Sequence, residues 1–161
     1  MKLYLLRHGE ACSGGDDAHR QLTGKGRRQA QCVAKFLKDT GAQVDCIWHS
    51  NRTRAVQTAE QVQSVLGAQT ERMEQEGLGP GDMAILAAGR IESFFVEQDG
   101  RSLLVVSHLP FLPQLARELL GGKATVGVVD FPEAGILCLK KEGSEKWDLE
   151  WVTSPELLWE E

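Results

Sequence analysis

No apolar stretch in this chain approaches the roughly 20 residues that a membrane-spanning helix requires. At the amino terminus a single Lys precedes four apolar residues and then Arg7-His8, too short for the apolar region of an export leader. Cys12, Cys32, Cys46 and Cys138 are scattered, with no CxxC pair and no histidine at ligand spacing, so neither a disulfide framework nor a zinc site is expected. The sequence also lacks HxH, HExxH, a paired-Asp motif and a Walker loop, so no metal and no cofactor are expected. A net charge of -5 leaves no basic stripe for nucleic acid. These absences predict a cytoplasmic protein with reduced thiols, no membrane partner and no nucleic-acid partner.

What is present reads as α/β. The chain has 161 residues, 42% hydrophobic and 25% charged, which fits one domain spanning 1–161. Residues 2–7 form a short apolar run ended by Gly9, a buried strand. Thr23 is placed to cap a helix whose stripe is Ala30, Val33, Ala34 and Leu37, closed by Gly41. A second strand spans residues 44–48, and a helix follows with Ala55, Ala59, Val62 and Leu66 on one face, stopped by Gly67. Polar residues 70–74 suit an edge strand. Residues 76–82 are a glycine-rich loop in which Asp82 is expected to cap a helix striped by Met83, Leu86, Ala87, Ile91, Phe94 and Phe95.

Residues 102–107 are apolar along both faces, as a central strand requires. Pro110 then opens a helix with Leu112, Leu115, Ala116 and Leu119 inward, ending at Gly121-Gly122. Residues 135–141 and 147–152 read as an antiparallel hairpin turning at 142–145, with Trp147, Leu149 and Trp151 on its buried face. Trp159-Glu160-Glu161 reads as a frayed tail. The predicted architecture is a single three-layer α/β/α domain. Its central sheet is mostly parallel with helices on both faces, and the carboxyl-terminal antiparallel hairpin closes one edge.

In such a sheet the carboxyl ends of the parallel strands share one edge, where ligands bind. Three separated segments then converge: Arg7-His8-Gly9 after the first strand, Arg54 in the first turn of a helix, and His108 after the central strand. Two guanidiniums supply paired donors for phosphate oxygens, and they also hold His8 neutral, hence nucleophilic. Gly9, lacking a Cβ, would let a phosphate approach the main chain. Arg7, Arg54 and a protonated His108 would meet the charge of a transferring phosphoryl group. Arg20 either lines the mouth of this site or pairs with Asp16 or Asp17. Arg52 reads as solvated, and His19 and His49 as surface or packing residues.

Four segments carry a resemblance. Arg7-His8-Gly9-Glu10, residues 22–30 (LTGKGRRQA), residues 50–59 (SNRTRAVQTA) and Val106-Ser107-His108 occur in the order found in the histidine phosphatase (phosphoglycerate mutase-like) superfamily. The short length, Ser107-His108-Leu109-Pro110 and Arg20 ahead of Leu22-Thr23 resemble the SixA-type phosphohistidine phosphatases within it. The resemblance implies His8 as nucleophile, with Arg7, Arg54 and His108 forming the phosphate pocket. Arg7, Gly9, Arg20, Arg54, His108 and Leu109 are then the substrate-binding set.

The resemblance also implies a phosphorylated protein partner, a histidine phosphotransfer domain. The alternative is a phosphatase or mutase acting on a small phosphomonoester. Larger members of the superfamily cover the site with a helical insertion that supplies an acid. Here only a short strand and a loop separate Leu66 from Asp82, and Glu76 and Asp82 are the nearest possible acids.

Overall fold

A strand that is apolar at every position needs cover on both sides, and the topology supplies it. In a computed structural model of the protein, which describes residues 1–121, 129–143 and 146–159, six strands form one sheet. They are β1 (Lys2–Arg7), β2 (Cys46–His49), β3 (Glu71–Glu74), β4 (Leu103–Ser107), β5 (Ile136–Lys140) and β6 (Asp148–Thr153). Their order is β3-β2-β4-β1-β5-β6, which puts β4 in the middle. The first four strands are mutually parallel, while β5 runs antiparallel to β1 and β6 antiparallel to β5. The mostly parallel sheet with an antiparallel hairpin at one edge is therefore observed.

Alternate residues of β1 and β4 serve opposite cores. Leu3, Leu5, Leu103 and Val105 pack under α3 (Ala84–Glu97) and α4 (Phe111–Leu119). Tyr4, Leu6, Leu104 and Val106 pack under α1 (Gly24–Asp39) and α2 (Thr53–Leu66). All four apolar residues of β4 are fully buried, each contributing about 1.5–3 kcal/mol of transfer free energy. Thr23 caps α1 as expected, its side chain accepting from Gly26 N at 2.9 Å. A short helix, α5 (Pro155–Leu158), follows β6. Among the described residues no helix is long and apolar enough to cross a membrane.

Three expectations are corrected. Asp82 does not cap α3: its Oδ2 accepts from Gly79 N at 2.7 Å inside the preceding loop, and Met83 holds the cap position without a side-chain bond. The buried stripe of α3 is Ala84, Ala87, Ile91 and Phe95, leaving Met83 and Leu86 more than 60% exposed. This helix is apolar nearly all round, so periodicity admits more than one phase. The phase adopted puts its small alanines inward.

The hairpin departs from simple alternation. Register shifts between Cys138 and Leu139, so that Cys138 faces Trp151 while Leu139 faces Leu149 and Glu150 is the extra residue. Trp147 therefore packs on Phe95 in one core and Trp151 on Tyr4 and Phe36 in the other. Leu149 is left 45% exposed. The end of the helix at Gly122, part of the 142–145 turn and the last two residues lie outside the described residues.

Candidate active site

Because β1, β2 and β4 run parallel, the residues just past their carboxyl ends meet at one sheet edge. His8 is held there by both neighbours of β1: its amide donates to Ser107 O at 3.1 Å, and its carbonyl accepts from Ala134 N at 3.0 Å. The rings of His8 and His108 lie 5.1 Å apart, centroid to centroid. Arg54, on the first turn of α2, donates from Nε to His8 Nε2 at 3.3 Å. Arg7 reaches across the same edge and donates from Nη1 to Phe131 O at 2.9 Å. The four residues expected from three distant segments are brought together.

The first histidine loop is wired into the scaffold by side chains that the sequence reading left without a role. Gly9 N donates to Thr58 Oγ1 at 3.1 Å, and Glu10 N to Gln29 Oε1 at 2.8 Å. Leu22 N donates to Gln57 Oε1 at 2.8 Å. Glutamine and threonine in the two middle motifs thus satisfy buried and half-buried backbone donors that no strand or helix would take. Gly9 is also required for close packing. A Cβ there would stand 2.4 Å from Gly26 O, and one on Gly26 would stand 2.1 Å from Glu10 O. The absent side chains let the loop lie against α1, and the Gly9 amide is already committed to Thr58.

His8 Nδ1 lies 2.7 Å from Gly9 O. A carbonyl only accepts, so Nδ1 carries the proton and Nε2 keeps its lone pair. Burial, aided by the charges of Arg54, Arg7 and Arg20, lowers the His8 pKa to about 4. Burial likewise lowers His108 to about 3, with His8 and Arg54 adding to the effect. His108 is accordingly neutral in the resting protein, whereas the sequence reading has it protonated against a transferring phosphoryl group. Desolvation also pulls down the pKa of both guanidiniums, opposed by Glu133 and Asp130 at Arg7 and by Asp17 at Arg54. Arginine stays cationic throughout. Among the described residues four buried side-chain nitrogens have no hydrogen-bond partner: Arg7 Nε and His108 Nδ1 of the histidine–arginine cluster, Arg52 Nε beside it, and Gln29 Nε2. Unpaired buried nitrogens are rare enough to need a reason, and for Arg7 and His108 a tetrahedral oxyanion bound between them would provide one.

Asp17 was not anticipated in this role. It begins the one-turn 3-10 helix Asp17–His19. Its carbonyl accepts from Arg54 Nη1 at 2.7 Å, and its carboxylate lies 3.4 Å from Arg54 Nη2 and 3.7 Å from Arg52 Nη1. Arg20 donates from Nε to Asp17 Oδ1 at 3.1 Å, which settles its pairing in favour of Asp17. Burial works to raise the Asp17 carboxyl, but the charges of Arg54 and Arg20 outweigh it and leave its pKa below the ordinary value. Arg52 is thus drawn into the cluster rather than solvated. The only hint in the sequence is the spacing of Asp17 three residues before Arg20, since helical turns bring such pairs together.

Leu109 is 37% exposed beside His108. Glu76 and Asp82 are exposed and line a hollow of about 120 Å³ that also includes Ser50. Ser50 in turn touches His108, its Oγ 2.5 Å from Nε2. His49 is buried against Ser50 O and Arg72, a packing residue. Among the described residues no group of three His, Cys, Asp or Glu could hold a metal ion, and the four cysteines are free.

Comparison with known proteins agrees with this geometry. A sequence profile of the histidine phosphatase superfamily (branch 1) matches residues 3–78. The phosphohistidine phosphatase SixA of Escherichia coli is 27% identical over 157 residues, covering 96% of this chain and 94% of that protein. An uncharacterised protein of Picosynechococcus is 32% identical over 145 residues, 87% of this chain and 85% of its own. The chain belongs to the histidine phosphatase superfamily. A solved structure of SixA complexed with tungstate superposes with a TM-score of 0.89 at 27% identity, covering 98% of this chain and 99% of that one. The phosphoglycerate mutase-like fold expected from the motifs is therefore the fold of this member of the superfamily.

Proposed function

We propose that this histidine phosphatase is a phosphohistidine phosphatase, and that residues 1–161 act as one domain removing a phosphoryl group from a histidine of another protein. One observation carries the mechanism: the Nδ1–H bond to Gly9 O leaves the lone pair of His8 on Nε2, facing Arg54. Nε2 attacks phosphorus in line while the bond to the substrate's imidazole nitrogen breaks. The electron pair leaves with that ring, which takes up a proton from water. Arg7, Arg54 and the N–H of neutral His108 hold the equatorial oxygens. Water then attacks phospho-His8, freeing inorganic phosphate and restoring the imidazole.

An imidazole leaving group needs less help than an alkoxide, for which a general acid is worth about 10²–10⁴-fold. The reading therefore requires no proton from Glu76 or Asp82. The short connection from β3 to α3 supports a protein substrate, since no inserted helix separates the β3–α3 side of the site from solvent. A histidine phosphotransfer domain in the cytoplasm is the partner this reading favours, and no metal or organic cofactor takes part. The test is brief exposure to such a domain carrying labelled phosphohistidine, beside a panel of sugar and nucleotide phosphates. Acid-labile label should appear on His8 and vanish in His8→Ala. Near-normal turnover in that variant, or turnover confined to the metabolites, would overturn the proposal.

A further inference from the structure

Ser50 stands at the carboxyl end of β2 and is 1% exposed. Its amide donates to Val106 O at 3.4 Å, which extends the contact of β2 with β4 and carries the hydroxyl to the ring that follows β4. Oγ lies 2.5 Å from His108 Nε2 and also receives the amide of Arg52 at 3.3 Å. The remaining ring nitrogen, Nδ1, is buried with no partner among the described residues.

We infer that Ser50 is a positioning residue for the phosphoryl-transfer site: its hydroxyl donates to Nε2 of His108, so that the single ring proton resides on Nδ1 and that N–H is presented to the transferring group. The hydrogen count supports this direction. Were Nε2–H the donor, the serine hydrogen would lack an acceptor and Nδ1 would be a bare lone pair, unable to bind an oxyanion. With serine donating, every hydrogen of Ser50 is used, and the single buried group left over is a donor of the polarity a phosphoryl oxygen requires. A neutral imidazole has one proton only, so its location decides whether the ring helps or repels the anion. The groups facing this ring are His8 from β1, Arg52 and Arg54 from the start of α2, and Asp17 from the 3-10 turn. Among the described residues only Ser50 bonds a nitrogen of this ring, so Ser50 sets the tautomer.

The catalytic consequence rests on the phosphatase reading, but the tautomer does not. Two-bond proton–nitrogen correlation spectra of the resting, uniformly labelled protein should show His108 with a protonated Nδ1 and a bare Nε2. Ser50→Ala should move the proton to Nε2 or spread it over both, and should weaken tungstate binding about tenfold, the loss of one charge-assisted hydrogen bond. Ser50→Thr should restore both. A protonated Nε2 in the unmodified protein would overturn the inference without any variant. So would Ser50→Ala with the proton still on Nδ1, or with tungstate affinity unchanged. Failure of the phosphatase reading would show instead as absent phosphoryl transfer alongside an intact Nδ1–H signal.

Discussion

Replacing Thr58 by valine keeps the shape of the side chain and removes one oxygen. That oxygen accepts the Gly9 amide at 3.1 Å and donates to Arg54 O at 2.7 Å, at a position with no solvent exposure. The Arg54 carbonyl keeps its helical partner, so the principal loss is at Gly9. Its buried N–H is left unpaired at a cost of about 1–3 kcal/mol. For a chain of this length a central value of about 2 kcal/mol lowers Tm by about 4–8 °C. Calorimetry and urea denaturation followed by tryptophan fluorescence would both report it, with an unchanged m value. Turnover should fall further than stability, because Gly9 also supplies the carbonyl that fixes the His8 tautomer. Thr58→Ser keeps the hydroxyl, loses a methyl group worth about 1 kcal/mol, and should retain most activity. A valine variant melting within about 1 °C of the parent, or a serine variant equally inactive, would refute the reasoning.

Three further outcomes follow from the same geometry. Gly26→Ala sets a Cβ 2.1 Å from Glu10 O, a backbone atom with no easy escape, so the first histidine loop should shift; activity and Tm should both drop sharply, whereas Gly24→Ala, with only the end of Arg28 at 3.5 Å, should be mild. Arg54→Ala should reduce turnover by about 10²–10³-fold if its donors meet transition-state charge, read as initial rates on phosphohistidine protein. The buried imidazole of His8 titrates near 4 when folded, below its ordinary 6.5, so between these values the unfolded chain binds more protons. Its stabilising contribution is thus complete above about pH 6.5 and is lost as pH falls toward about 4; urea midpoints that stay level from pH 7 to 4.5 would contradict this.

The parts of the fold that were legible are those where one physical requirement acts alone. β4 is apolar on both faces because it is covered on both, and Thr23 reads as a cap because its hydroxyl stands immediately ahead of the striped segment it opens. α1 and α2 show single stripes, and each stripe is the face they bury. In α3 the apolar residues exceed one face, and the choice between phases fell to packing against the sheet. The bulge at Glu150 left no mark in the sequence, since alternating tryptophans suggest a regular strand whether or not a residue is inserted. At the site, the histidines and arginines were visible through their chemistry. Gln29, Gln57, Thr58 and Ser50 were visible only as motif letters, because their work is to hold backbone and ring nitrogens that no linear pattern reveals. Asp17 was hidden for a similar reason: its three cationic neighbours come from two different elements.

Of the six strands, β1, which leads into His8, is synthesised first yet lies between β4 and β5, which are made later. A ribosome adding about 5–20 residues per second leaves β1 without a neighbour for roughly 5–20 s. Throughout that interval its apolar residues 3–6 lack the neighbours they pair with in the sheet, so β1 is the segment a holding chaperone would meet. The two imidazoles can meet only once translation has passed beyond residue 108.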